Sequence, residues 1–65
     1  MTFGEKFKAL REEKGLTQKE VAGDLGINAR MITRYENGIS HPRTREAYHK
    51  IADYFGVDVN YLLTE

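Results

Sequence analysis

The chain has 65 residues, with ten Lys and Arg balancing ten Asp and Glu, and a mean hydropathy of −0.62. That length supports one domain near the lower limit for a single unstapled core, and the absence of cysteine excludes disulfides and thiolate metal sites. No apolar run approaches a membrane span and the N-terminus lacks the apolar segment of a secretory signal, so a soluble, cytoplasmic protein is expected.

Thr2 and Glu5 have the spacing of a capping box and open a first helix predicted from Phe3 to Lys14. Phe3, Phe7 and Leu10 fall at i, i+4 and i+7, an apolar stripe for the core, while Lys6, Lys8, Glu12 and Glu13 are expected to face solvent. Gly15 ends this helix. Thr17 and Glu20 form a second capping box, with Leu16 and Val21 at the spacing of a hydrophobic staple. They predict a second helix over Gln18–Leu25 that buries Val21, Ala22 and Leu25. Gly23 inside it is an inconsistency, costing about 1 kcal/mol relative to Ala.

Gly26 falls where the second helix must stop and the chain must turn, a place for positive φ. Asn28 then caps a third helix over Ala29–Asn37, with Ile27 and Ile32 as its staple and Gly38 as its end. Ile32, Tyr35 and part of Met31 face inward on this helix; Ala29, Arg30, Thr33 and Arg34 face outward. Two short helices joined by a three-residue, glycine-containing turn are the sequence signature of a helix-turn-helix. The small side chain of Ala22 lets the two approach.

Ile39 to Arg43 is a loop carrying the single proline, Pro42. A fourth helix is predicted from Thr44 to Phe55, with Tyr48, Ile51, Ala52 and Phe55 on one face and Gly56 at its end. Asp58 caps a last turn that runs to Leu63, with Val57 and Leu62 as its staple. No stretch alternates as a strand would, and there is no repeat or linker. The expected fold is a single all-α domain, a compact bundle of five short helices spanning residues 1–65, either a minimal protein or the N-terminal domain of a longer one.

The zero net charge conceals a polarity. Met1 to Ile27 is neutral, Asn28 to Arg45 holds four arginines (Arg30, Arg34, Arg43, Arg45) against Glu36 alone, and Glu46 to Glu65 sets four acids against Lys50. The basic pole coincides with the third helix and the loop after it, an arrangement suited to a polyanion. Catalysis is not expected. The two histidines, His41 and His49, stand eight apart with no metal-ligand spacing, nucleophile motif or phosphate-cradling glycine loop, so no cofactor or metal is implied.

The string L-T-Q-K-E-V-A-x-x-L-G-I, followed by I-T-R-Y-E-N-G, then P-R, I-A-x-Y-F-G-V and Y-L-L, resembles the Cro and phage-repressor-type helix-turn-helix domains, the XRE family of bacterial and phage regulators. The resemblance covers nearly the whole chain. It implies a lambda-repressor-like bundle whose third helix enters the major groove of double-stranded DNA, a symmetric dimer, and transcriptional regulation, chiefly repression. Residue by residue, it places Gln18 on a backbone phosphate and Ala29, Arg30, Thr33 and Arg34 at base edges or nearby phosphates. Asn37 and the following loop match a second phosphate-contacting region, and Arg11 and Glu36 match an ion pair joining the first and third helices. Two departures stand out. Ala29 occupies a place where many relatives carry Gln or Ser, and the segment from Pro42 to Glu46 is one residue longer than the commonest spacing.

The chemistry of these residues agrees with that reading. Arg30 and Arg34, four apart, project from one side of a helix, and each guanidinium can donate two hydrogen bonds to guanine O6 and N7. Thr33 offers a hydroxyl or a methyl. Gln18 at a helix N-terminus offers a side-chain amide and a free backbone amide to phosphate; Asn28 has the same opportunity, besides its role as a cap. Arg43 is the loop cation expected to touch the backbone. For pairing of two copies, Tyr61 and Leu63 are the expected exposed members of the apolar C-terminal run, and Tyr54 is a further outward candidate. The competing reading is an antitoxin-like or adaptor module whose partner is a protein, but arginines on the outward face of the third helix argue against it. Neither a membrane nor a small-molecule ligand is indicated.

Overall fold

A computed structural model describes residues 1–64 of the chain. The helices lie where local capping rules place them: α1 (Phe3–Glu13), α2 (Gln18–Leu25), α3 (Ala29–Glu36), α4 (Arg45–Phe55) and α5 (Val59–Leu63). Both capping boxes are closed. The Thr2 hydroxyl accepts from the Glu5 amide at 3.2 Å and the Thr17 hydroxyl from the Glu20 amide at 3.0 Å, with both glutamates returning to the cap amides. Asn28, Thr44 and Asp58 cap the other three helices, so Thr44 stands one residue outside α4 rather than within it. Likewise Lys14 and Asn37 are C-caps, one residue beyond the ends of α1 and α3.

Gly15, Gly26, Gly38 and Gly56 have φ between 69° and 73°, and each reverses the chain so that the next residue's amide returns to the helix. Those bonds run from Leu16 to Arg11, Ile27 to Ala22, Ile39 to Arg34 and Val57 to Ala52, at 2.9–3.1 Å. The apolar residue that follows the glycine normally packs back on the helix it ends. Leu16, Ile27 and Val57 do pack against the core, whereas Ile39 remains 61% exposed.

α2 packs on α3, α1 on α3 and α4 on α5, with lighter contacts between α1 and α5 and between α2 and α4. The core joins Phe3 and Phe7 of α1 to Val21, Ala22 and Leu25 of α2 and to Ile32 and Tyr35 of α3. Ile51, Ala52, Phe55 and Leu62 close it from the other side, and Phe7, Val21 and Ile32 are wholly enclosed. Aromatic rings form its centre. Phe7 meets Phe55 edge-on with centroids 5.2 Å apart, and Phe3 meets Tyr35 and Tyr48 edge-on at 5.5 and 5.3 Å, arrangements favoured by the ring quadrupole.

One expectation is overturned. Lys6 is not on the solvent face but 5% exposed, and its ammonium donates to the carbonyl of Tyr61 at 2.6 Å and to that of Thr64. The carbonyls at the C-terminal end of α5 have no partners in their own helix, and a cation there also meets the negative end of the helix dipole. Lys50 of α4 does the same for α2, donating to the Leu25 carbonyl at 2.9 Å. Among the described residues, no helix is long and apolar enough to cross a membrane.

Candidate nucleic-acid interface

The placement of α3 follows from what holds its inner side. Ile32 and Tyr35 anchor it in the core. At its C-terminal end α1 crosses in backbone contact: a Cβ added to Gly4 would stand 2.0 Å from the Tyr35 carbonyl oxygen. At its N-terminal end Gly26, with φ 71° and ψ 31°, makes the turn from α2, and Asn28 Oδ1 accepts from the Arg30 amide at 2.7 Å. The helix is thereby fixed in direction, tilt and rotation before any outward side chain is considered.

A buried polar network completes the attachment. Arg11 of α1 donates through Nε and Nη2 to the two carboxylate oxygens of Glu36 at 2.6 and 3.0 Å, and through Nη1 to the Leu16 carbonyl at 2.8 Å. The Arg11 side chain is 12% exposed and that of Glu36 3%, so the pair is shielded from solvent. The hydrogen bonds to Glu36 raise the Arg11 pKa above its already high ordinary value, and this guanidinium is charged at every accessible pH. Gln18 of α2 joins the same carboxylate, donating from Nε2 to Glu36 Oε1 at 3.1 Å, while its Oε1 accepts from the Thr33 hydroxyl at 2.9 Å. Three helices therefore meet at Glu36.

On the outer side, Ala29, Arg30, Thr33 and Arg34 are all exposed, together with Met31. Neither Arg30 nor Arg34 is folded back, and among the described residues neither forms an ion pair. Asn28 and Asn37 are exposed at the two ends of α3; Asn37 donates its backbone amide to the Thr33 carbonyl at 3.0 Å. Arg43 is exposed in the following loop, next to Pro42, which is buried and ties that loop down. Arg45 is exposed at the first position of α4.

The structure brings Gln18, Thr33 and Glu36 together in a way the sequence reading did not anticipate. Gln18 is half-buried, with its side chain turned onto α3, and Thr33 is tied to it. The sequence signal was the short, polar Thr33 one helical turn before Glu36, opposite a Gln at the start of the preceding helix. Tyr61 and Leu63 lie on α5, away from this network; Tyr61 is 42% exposed with its ring 4.8 Å from the Lys6 ammonium, and Leu63 is half-buried. Tyr54 does not point freely outward: its hydroxyl donates to Asp24 Oδ2 at 2.6 Å, linking α4 to α2. Both histidines are exposed, and among the described residues no group of three His, Cys, Asp or Glu is placed to hold a metal ion.

Comparison with known proteins gives this geometry a setting. The helix-turn-helix domain family matches residues 4–65. The cryptic phage CTXphi transcriptional repressor RstR of Vibrio cholerae is 33% identical over 63 residues, covering 97% of this chain and 56% of RstR. The HTH-type transcriptional activator BcrR of Enterococcus faecalis is 34% identical over 64 residues, covering 98% of this chain and 31% of BcrR. The chain thus spans about half of the one relative and a third of the other. Among solved structures, the master regulator for biofilm formation SinR in complex with DNA has the same fold, with a TM-score of 0.85 at 24% identity over 97% of this chain and 100% of that one. With its five helices, its glycine-turned α2–α3 unit and a family match over almost its full length, the chain belongs to the helix-turn-helix domains of the Cro and phage-repressor type.

Proposed function

We propose that this chain is the DNA-binding domain of a sequence-specific transcription regulator, acting chiefly as a repressor. In this reading α3 lies in the major groove of duplex DNA, with Arg30 and Arg34 on base edges, Thr33 between them and Ala29 making a methyl contact. Gln18, Asn28, Asn37 and Arg43 engage the phosphates that set its register. The carrying observation is that α3 is immobilised along its inner side while its outer side keeps two arginines exposed and unpaired among the described residues. An α-helix fits the major groove, and a bidentate arginine on guanine supplies about 1–3 kcal/mol of discrimination. The names of RstR and BcrR, a repressor and an activator of transcription, support transcription regulation, and that of RstR supports repression.

One such domain reads only a few base pairs, and a symmetric dimer places two recognition helices about 34 Å apart. Tyr61 and Leu63 on α5 are proposed as the pairing surface. In this reading the protein acts by binding rather than catalysis, in the cytoplasm.

Selection of bound sequences from a random duplex pool, followed by a salt titration on the selected site, tests this. The expected result is a two-fold symmetric site and a linear fall of log K with log salt, with a slope of about −0.9 per phosphate neutralised. Arg30→Ala and Arg34→Ala should each relax preference at one base position. Failure to enrich any sequence, or binding indifferent to salt, would overturn the proposal.

A further inference from the structure

We propose that the Arg11–Glu36 ion pair, acting through Gln18, fixes the hydrogen-bond polarity of Thr33, so that Thr33 meets DNA as an acceptor and selects a base carrying an exocyclic amine, adenine or cytosine. This deepens the major-groove reading above and rests on it.

The argument starts at Glu36. An ionised carboxylate accepts hydrogen bonds and donates none. Both Glu36 carboxylate oxygens accept from Arg11, which can only donate, so both face the network as acceptors. The Gln18 amide lies 3.1 Å from its Oε1. A flipped amide would set oxygen against oxygen, so Nε2 must face Glu36 and Oε1 must face Thr33. The orientation of this amide is dictated by the charge beside it.

Thr33 comes next. Its Oγ1 stands 2.9 Å from Gln18 Oε1, and two oxygens at that distance require a proton between them. The amide oxygen has none to give, so the threonine hydroxyl donates. The second group within reach of that hydroxyl is the Ala29 carbonyl at 3.4 Å, which is also only an acceptor. A hydroxyl has one proton and two lone pairs. With the proton directed into the protein, Thr33 presents lone pairs and a methyl group at an exposed position of α3.

A free threonine reads donors and acceptors alike, but this one does not. In the major groove the donors are adenine N6 and cytosine N4, whereas guanine O6 and N7 and thymine O4 accept. The outward face of α3 then reads as donor, acceptor, donor along Arg30, Thr33 and Arg34. Gln18 and Glu36 are positioning residues in this scheme, setting which bases Thr33 accepts without touching them.

The test is sequence selection from a random duplex pool with the 65-residue chain, its Thr33→Val, Thr33→Ser and Gln18→Ala variants. Anisotropy titrations then use the selected site with purine, which lacks the amine, in place of adenine, or with 2-pyrimidinone in place of cytosine. The base position that responds to Thr33→Val is the one Thr33 reads. There the unaltered chain should favour adenine or cytosine and lose roughly three- to tenfold on removal of the amine. Thr33→Ser, which keeps the oxygen, should retain that preference, and Thr33→Val should abolish it. Gln18→Ala removes the nearer acceptor and leaves the hydroxyl only the long contact to the Ala29 carbonyl, so guanine and thymine should rise relative to the amino bases at this position while the preferences set by Arg30 and Arg34 persist. The proposal is overturned if a keto base is favoured there, if Thr33→Val changes no position, or if Gln18→Ala leaves the preference for the amino bases at that position intact, whatever uniform loss of affinity follows from its phosphate contact. A chain that enriches no sequence at all refutes the major-groove reading itself, and this proposal with it.

Discussion

Gly4 of α1 and Tyr35 of α3 touch backbone to backbone, and a Cβ on Gly4 would come within 2.0 Å of the Tyr35 carbonyl oxygen. The contact sets how closely α1 lies under the recognition helix. Because the obstruction is main chain, it cannot be relieved by rotating a side chain, and one helix must move.

Gly4→Ala is therefore expected to destabilise the domain by about 1–3 kcal/mol, although alanine is the better helix former. Denaturant unfolding checks it. A gain in stability would mean that α1 and α3 are not in contact at Gly4.

Gly23 is the opposite case. It is exposed in the interior of α2, and a Cβ there meets nothing within 4 Å. Gly23→Ala should stabilise by about 1 kcal/mol, raising Tm by roughly 4–8 °C for a domain of this size. No change in a thermal melt would show that the helical propensity of α2 does not limit stability.

Arg11→Ala leaves the Glu36 carboxylate, 3% exposed, without its counter-charge. Loss of one member of a buried pair costs about 3–5 kcal/mol, so unfolding should occur at much lower denaturant and DNA binding should fall with it. Adding Glu36→Ala should recover part of the loss, because the stranded charge is gone. Thermal stability unchanged in the single variant would refute the structural role given to the pair.

Tyr54 supplies an alkaline test. Burial first, and then its bond to Asp24 and the charge of that carboxylate, push its phenol up to about 12. An unfolded tyrosine ionises near pH ~10, so the folded state holds this proton more tightly. The resulting stabilisation is complete below about pH 10 and is lost as pH rises toward the folded value. The stability difference between the unaltered chain and Tyr54→Phe should be flat below that point and shrink between about pH 10 and 12. A difference constant across that window would contradict the Tyr54–Asp24 bond.

Helix existence and helix ends were legible in the sequence because their causes are local. The Thr17–Glu20 box and Gly26 lie within a turn of the boundaries they set, and α2 begins and ends at the residues read from them. The staples Leu16–Val21, Ile27–Ile32 and Val57–Leu62 extend the same short-range logic to the core, where all six residues are packed. The charge polarity of the third helix needed no fold at all, only a count along the chain.

The tertiary structure decided everything that depends on partners far along the chain. Lys6 reads as a surface residue by helical spacing, yet it turns inward because carbonyls 55 and 58 residues away satisfy it. Gly4 looks like a weak helix former until α3 lies across it. Gln18 and Thr33, 15 residues apart, acquire a fixed hydrogen-bond direction only because Glu36 arrives beside them already paired to Arg11. Periodicity records which face of a helix is apolar; it carries no record of which distant donor or acceptor will stand opposite a polar side chain, and that is settled when the helices pack.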